Sequence, residues 1–327
     1  MKTQSESPSR SIQPMDPQLR DIQPGGDVVI YLEQAWGVLR RRWLKTCRPS
    51  YVHCMETLRK GDFNPCPYEV LDPRDLKFCQ NQGGWYWQPE DDPFQWRDSV
   101  PFARVGLAEL VVIGGGFVLT GAALFYRALL TSGTGQIIAG SLSVVAFVIA
   151  GLVIWFFRDP PRSIPSAAGL VVSPADGKIV EIEEVGHDEY VDGPAVKIGI
   201  FLSIFSVHIN RAPVSGRVIG LKYKPGKYLN ALRPESAREN EQLAVMMESD
   251  DGHHRGIVVR QITGAIARRI VCCLKPDDEV KRGEQFGMIK LGSRTELVLP
   301  REDGLTIRVR NGDMVRGGTS ILAMFSS

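Results

Sequence analysis

A glycine and a serine interrupt an apolar stretch near the end of the chain, FGMIKLGSRTELVLP, residues 286–300. The runs 286–291 and 297–299 have the composition of strands, and Gly292 and Ser293 stand between them. Both are ordinary turn residues, so a turn is the simplest interpretation. A serine hydroxyl is also a latent nucleophile that a nearby general base can activate. The rest of the sequence therefore has to be searched for that base.

Histidine is the side chain whose unperturbed pKa, about 6.5, suits proton transfer near neutral pH. Only His208 falls in a mainly apolar strand, IGIFLSIFSVHI, although histidines in such strands are often simply packed core residues. His53 lies in the N-terminal part, and the other three lie in polar, loop-like contexts. Those three are His187, His253 and His254. His208 is therefore the candidate base.

Four short signatures follow one another through the second half of the chain. They are FFRDPPRSIP (156–165), SPADGK (173–178), SVHINRAPVSG (206–216) and FGMIKLGSR (286–294). In this order and at these intervals they resemble the phosphatidylserine decarboxylase proenzyme family, in its short, archaeal-type branch. The resemblance covers residues 156–327 and does not extend to residues 1–100.

The resemblance implies a pyruvoyl-dependent enzyme that makes its own cofactor. Carried over to this chain, the polypeptide cuts itself between Gly292 and Ser293. The products are a β chain of residues 1–292 and an α chain of residues 293–327, held together as a heterodimer or a higher oligomer. Ser293 becomes the covalent pyruvoyl group, and the glycine before it leaves the approach to the carbonyl open.

The resemblance also assigns the general base and its partner. His208 takes the place of the base and Asp176 that of the carboxylate that orients it. On residues alone, an Asp-Gly step after proline is more often a turn. The implied reaction is the decarboxylation of phosphatidylserine to phosphatidylethanolamine and CO2, with no metal required.

Two positions depart from the better-known bacterial branch. Arg294 follows the serine, as in the short branch, and Phe205 stands where the bacterial branch carries a second histidine, three residues before His208. The proton donor to the decarboxylated carbon therefore stays open, with His208 as the economical candidate. An ether-linked serine lipid such as archaetidylserine remains an alternative substrate, because its headgroup chemistry is the same.

Residues 158–327 read as short alternating strands separated by Gly, Pro and Asp, which predicts a mainly β (α+β) catalytic domain. The hairpin-like segments 215–226 and 309–323 also resemble lipoyl carrier domains and efflux adaptors, a non-enzymatic alternative. Carrier domains present a modified lysine at a hairpin tip, and no lysine follows Lys290. Residues 221–238 interleave cations with Leu and Tyr, which suits either a lipid headgroup layer or a solvated loop.

Two uncharged runs, 110–126 and 137–157, are long enough to cross a bilayer as a helical hairpin over residues 105–157. Arginines on both outer flanks place those flanks in the cytoplasm. The catalytic domain is thus expected on the cytoplasmic face of the cell (inner) membrane, with the membrane and an aminophospholipid as partners. Every candidate processing residue lies beyond residue 157, which predicts that the hairpin serves attachment only.

The N-terminal part divides into a polar tail (1–26), expected to be disordered, and a largely helical extension (27–104) without an assigned role. Four cysteines in the extension lack the two-residue spacing of common zinc sites, so ordinary thiols are favoured over a metal. They are Cys47, Cys54, Cys66 and Cys79. The net charge of +2 argues against a dedicated nucleic-acid binder.

Overall fold

A computed structural model describes residues 9–26, 28–265, 269–290 and 292–326. Helices dominate the first half: α1 (Val28–Cys47), α2 (Pro49–Leu58), α3 (Leu107–Glu109), α4 (Gly115–Leu130) and α5 (Thr134–Phe156). A π-helical turn, Leu110–Gly114, joins α3 to α4. Single 3-10 turns lie between α2 and α3, at Pro73–Leu76, Gln80–Gln82, Pro89–Asp91, Gln95–Asp98 and Arg104–Gly106.

The second half is almost entirely β, with one short helix, α6 (Ser236–Glu239). Its strands are β1 (Leu170–Val172), β2 (Gly177–Asp188), β3 (Gly193–Leu202), β4 (Ile209–Arg211), β5 (Gly216–Lys224), β6 (Gln242–Ser249), β7 (Gly256–Ile262), β8 (Arg269–Cys272), β9 (Glu279–Val280), β10 (Gln285–Lys290), β11 (Ser293–Pro300), β12 (Leu305–Ile307), β13 (Met314–Val315) and β14 (Ile321–Phe325). The prediction of a mainly β domain behind a helical part is confirmed.

Eight of these strands form one antiparallel sheet in the order β13-β2-β3-β11-β7-β6-β5-β9. Strand β11 lies at its centre, paired with β3 on one side and β7 on the other. Alternate residues of β3, namely Ile198, Ile200 and Leu202, are fully buried in the main core. Burying each such side chain contributes about 1.5–3 kcal/mol, so this face holds the sheet in register.

Two three-stranded sheets accompany the large one, in the orders β4-β10-β8 and β1-β14-β12. Strand β10 ends at Lys290 in a small sheet, and β11 begins at Ser293 in the large one. The chain therefore crosses between two sheets at Gly292 and Ser293. The two strands predicted around this step are present, although Leu291 lies outside the described residues.

The hairpin consists of two helical segments, residues 104–130 and 134–156, each long and apolar enough to cross a membrane. Most of their large apolar side chains face outward, and most of the residues buried between the two helices are small. Ser143 donates a hydrogen bond to the Gly121 carbonyl (2.8 Å), and a Cβ at Gly121 would lie 3.1 Å from the Phe147 ring. A short residue at 121 thus lets the helices pack closely, as lipid-embedded helices do.

The extension packs around its own small core, in which Trp87 donates a hydrogen bond to the Met55 carbonyl (2.8 Å). Helix α1 buries Ile30, Gly37 and Leu44 and turns several large apolar side chains outward. These are Leu32, Trp36, Leu39 and Trp43. Cys66 and Cys79 are buried near one another, and no cluster of metal-ligating side chains occurs in the described part of the chain.

Residues 9–26, expected to be disordered, form instead a strap across the catalytic domain; residues 1–8 lie outside the described part. The Gln13 amide bonds to the Ile219 carbonyl (2.8 Å), and Leu19 enters the main core. The Ile22 carbonyl accepts a hydrogen bond from the amide of Cys272 on edge strand β8 (2.9 Å). The Ile22 amide donates a hydrogen bond to the carbonyl of Phe78 in the extension (2.9 Å). Covering an open strand edge and burying two apolar side chains offset the strap's lost entropy. A polar composition did not reveal these two anchors.

Candidate active site

Gly292 and Ser293 form the step between the two sheets. Gly292 has a φ of +59°, in the left-handed region that glycine adopts without strain. Ser293 opens strand β11 opposite Leu202, and none of its surface is exposed. Its Oγ has no hydrogen-bond partner among the described residues. A buried hydroxyl without a partner is costly, which marks this one for a role other than packing.

The carbonyl of Gly292 lies tightly against the backbone of another glycine. A Cβ placed on Gly264 would lie 2.1 Å from the Gly292 oxygen and 3.1 Å from its carbon. Any side chain at position 264 would therefore displace the carbonyl that precedes Ser293. Gly264 acts as a positioning residue for the candidate scissile bond.

His208 faces the same step from the small sheet. Its Nε2 accepts a hydrogen bond from the Gly292 amide (3.2 Å), and its Nδ1 lies 2.9 Å from the Ser206 carbonyl oxygen. A carbonyl oxygen can only accept, so Nδ1 carries the proton and Nε2 presents its lone pair to the scissile step. The two neighbours thus fix the tautomer a general base needs.

The surroundings of His208 keep the imidazole neutral. The ring is fully buried and lies 4.5 Å from the Phe156 ring at the end of α5. Burial lowers the pKa of His208 to about 4; the Ser206 carbonyl opposes this shift and the charge of Arg158 adds to it. His208 is therefore in its basic form at neutral pH, and it contacts Gly292, the residue next to Ser293.

The structure does not join Asp176 to His208 by a hydrogen bond. Asp176 Oδ1 accepts the Gly317 amide (2.7 Å), and Oδ2 pairs with Arg162 (2.9 Å). These contacts tie the turn before β2 to the turn after β13. The backbone of Ser206 occupies the position beside Nδ1 that the family resemblance implied for a carboxylate. Asp176 as orienter of His208 stays a prediction.

Three further polar side chains share the buried layer with His208 and Ser293. Asn210 donates to Thr295 Oγ1 (3.1 Å), and Gln261 donates to Asn210 Oδ1 (2.9 Å). All three are fully buried. Asn210 and Thr295 each lie two residues beyond a predicted site residue, on the same face of a strand, so strand periodicity could have found them. Gln261 carries no such signal.

Arg294 belongs to the opposite face of β11. It pairs with Glu181 and with Glu296 (2.9 Å), and its guanidinium lies against Gly199, where a Cβ would come within 2.6 Å. Its position is therefore fixed by a charge network outside the Ser293 layer. Arg294 supports the sheet and is not placed to contact a reacting atom.

Lys290, three residues before Ser293, extends into the boundary with the helical part. Its ammonium group pairs with Glu109 of α3 and lies 3.3 Å from Gln23 of the strap. Lys290 and Glu109 are both buried. Together with Phe156 against His208, this contact shows that residues before 157 touch the elements that carry His208 and Ser293, whereas the attachment-only role of the hairpin stays a prediction.

Two of the cations of residues 221–238 are engaged locally. Lys224 donates to the Arg238 carbonyl (2.9 Å), and Lys227 pairs with Glu239 (2.8 Å). Arg158 instead lies at the end of α5, where its guanidinium donates to the Phe205 carbonyl (2.8 Å). The end of the second candidate span and the turn before His208 are therefore in direct contact.

A partnerless serine hydroxyl, a carbonyl packed against Gly264 and a neutral imidazole meet at the Gly292–Ser293 step, an arrangement suited to an enzyme with an activated serine nucleophile. A model of the family described as phosphatidylserine decarboxylase matches residues 149–323. A phosphatidylserine decarboxylase proenzyme of Rhodopirellula baltica is 48% identical over 254 residues, covering 76% of this chain and 99% of that protein. Proenzymes of Syntrophus aciditrophicus (44% over 171 residues; 52% of this chain, 78% of that one) and Chlorobaculum parvum (46% over 182; 56% and 81%) are also similar. The chain belongs to the phosphatidylserine decarboxylase family.

Proposed function

We propose that this chain cuts itself between Gly292 and Ser293 and then decarboxylates phosphatidylserine to phosphatidylethanolamine. The observation that carries the proposal is the buried, partnerless Ser293 hydroxyl beside a carbonyl that Gly264 holds in place. The neutral Nε2 of His208, bonded to the Gly292 amide, supplies the base. Membership of the family supports the reaction, because the relatives are named phosphatidylserine decarboxylases.

Self-cleavage begins when the Ser293 hydroxyl turns toward Nε2 of His208 and gives up its proton. Oγ then attacks the Gly292 carbonyl carbon, and the amide nitrogen of Ser293 leaves with a proton from the imidazolium. The resulting ester breaks by elimination, which frees the Gly292 carboxylate. Hydrolysis of the remaining enamine releases ammonia and leaves a pyruvoyl group at position 293.

The site fits such a group because Ser293 is buried and flanked by fixed polar side chains. The pyruvoyl group supplies a carbonyl that accepts the electrons released when CO2 leaves. His208 is the economical candidate to return a proton to the substrate carbon, and the hydrogen bond between Asn210 and Thr295 joins the strands on both sides of the site.

The substrate is a membrane lipid, and the hairpin provides the attachment. Its two apolar helices expose most of their large side chains, which suits lipid surroundings. Arg104 at the start of the first span and Arg158 after the second favour a cytoplasmic catalytic domain at the inner membrane, by the rule that cations remain on the cytoplasmic side.

Ser293→Ala tests the proposal directly. Without the hydroxyl no acyl shift can occur, so mass spectrometry should find one uncut, inactive chain of 36.2 kDa. The unaltered protein should instead release an α chain of residues 293–327. Ser166→Ala, which removes an exposed hydroxyl from the same domain, is the matched control and should still be cut. Normal cleavage of the Ser293→Ala chain would overturn the proposal.

A further inference from the structure

The turn of residues 203–206, directly before His208, displays two large apolar side chains. Ile204 is 45% exposed and Phe205 58% exposed, whereas Leu202 before the turn and Val207 after it are buried. The turn is held by its own polar groups, since the Ser206 amide bonds to the Ser203 carbonyl (2.9 Å). Its two apolar side chains therefore project outward from a fixed base.

The turn is fastened to the end of the second candidate span. The Phe205 carbonyl accepts hydrogen bonds from the Arg158 guanidinium (2.8 Å) and from Trp155 Nε1 (3.4 Å). The Trp155 side chain is itself 51% exposed, and the Arg158 guanidinium lies 4.0 Å from the centre of its ring. A tryptophan and an arginine at the end of a membrane helix lie at the headgroup level. Ile204 and Phe205 therefore lie at that same level.

The turn is also fastened to the candidate base. Ser206 holds Nδ1 of His208 through its carbonyl, one residue after Phe205. Phe156, next to Trp155 in α5, packs against the His208 ring. One short segment thus connects an exposed apolar pair, the end of a membrane helix and the imidazole that faces Ser293.

We propose that Ile204 and Phe205 form a lip that inserts into the bilayer beside the second span and presents serine headgroups to the site around His208. The inference rests on the proposed function and adds the surface by which lipid reaches the site. The occupant is the bilayer that holds the substrate, because hydrogen bonds link the lip to the span that enters it. A protein partner is disfavoured, since two side chains beside a membrane helix offer too small a surface.

Reconstitution of the full chain in vesicles tests the lip. The double variant Ile204→Ser/Phe205→Ser should release its α chain normally and decarboxylate phosphatidylserine in detergent micelles within about twofold of the unaltered rate. In vesicles its KM, expressed as mole fraction of phosphatidylserine, should rise about tenfold, because the lip no longer prefers the apolar layer. Ile204→Leu/Phe205→Leu keeps the apolar surface and should restore the vesicle KM.

A fluorophore on Phe205→Cys, with the exposed Cys47 and Cys54 replaced by serine, reports insertion directly. Lipids that carry a quencher in the upper acyl chain should quench it strongly. The same label on Glu189→Cys, in the turn that precedes β3, is the control; the ten-residue strand β3 spans about 30 Å between that turn and Leu202, so this label should stay bright.

Equal quenching at the two labelled positions, or an unchanged vesicle KM in the serine variant, would overturn the lip. An equal loss of decarboxylase activity by the serine variant in micelles and in vesicles would also overturn the lip, since the turn would then act only through His208. Failure of the proposed function looks different, because the unaltered chain would then show neither an α chain nor activity in micelles.

Discussion

In the β domain the large apolar side chains point inward, with Ile198, Ile200 and Leu202 wholly buried, whereas the hairpin turns Leu119 and Ile137 outward. Helix α1 of the extension behaves like the hairpin and exposes Trp36 and Trp43. The difference follows from the surroundings each region requires. The proposed activation of Ser293 needs a rigid, buried interior, and helices that are candidates to cross a bilayer need apolar side chains on their outer faces. The two regions meet at Phe156 against His208 and at Glu109 against Lys290.

The largest effect is expected inside the β domain, at the base. His208→Ala should abolish α-chain release, because no other described histidine lies at the Gly292–Ser293 step. His187→Ala and His253→Ala should process normally, as should His254→Ala, whose ring lies near Glu248 (3.2 Å). The time course of α-chain release by electrophoresis measures this. Full-rate cleavage by folded His208→Ala would show that the base is misassigned.

The second-largest effect on self-cleavage is expected from Gly264→Ala, because the added Cβ would lie 2.1 Å from the Gly292 oxygen. Displacing the scissile carbonyl by about 1 Å should slow self-cleavage about a hundredfold. Gly186→Ala, a strand glycine with open space around it, is the matched control and should cut at the normal rate. Similar rates for the two variants would contradict the role of Gly264.

The Lys290–Glu109 contact tests whether the two regions are independent. Glu109→Gln leaves a buried ammonium without its counter-charge and should lower the free energy of unfolding in detergent by about 3 kcal/mol. Adding Lys290→Met should recover most of that loss. Glu183→Gln, which breaks the more exposed pair with Lys197, should cost less than about 1 kcal/mol. Equal losses for Glu109→Gln and Glu183→Gln would mean that the boundary pair contributes nothing special.

Asp176→Asn should slow cleavage about tenfold, by weakening the contact with Arg162. Arg162→Gln is the informative comparison. If Asp176 acts only by tying two turns together, both variants should slow cleavage alike and leave its pH profile unchanged. A shifted pH profile in Asp176→Asn alone would support the sequence-based prediction that this carboxylate orients His208.

The smallest change is expected from acidification. The folded pKa of His208, about 4, lies below its unfolded value of about 6.5, so the base stays neutral well below pH 6.5. Cleavage should keep the same rate from about pH 7.5 to 5.5 and fall only near pH 4. A histidine of ordinary pKa would lose about nine-tenths of the rate at pH 5.5. Between pH 6.5 and 4 only the unfolded chain gains the proton, so folding stability falls across that window.

The sequence predicted the strands on both sides of Gly292, the β domain and the pair of apolar helices, because these depend on local periodicity. It also selected His208 from five histidines by the apolar context of its strand. It missed Gly264 and Gln261, since their roles depend on which strands pair across long separations. The strap was missed for a similar reason: only the tertiary structure shows that Leu19 and Ile22 are buried.

Strand β11 has a further consequence for the order of synthesis. It is the sheet's central strand, yet its neighbours β3 and β7 lie nearly a hundred and about forty residues earlier, respectively, in the chain. A ribosome therefore synthesises the two strands that flank β11 before it synthesises β11. Because β11 begins with Ser293, the pairing of β11 completes the sheet and brings the serine hydroxyl to His208 in the same event. On the proposed route the cofactor therefore forms only after residues beyond 293 have emerged, and an interrupted chain stays inert.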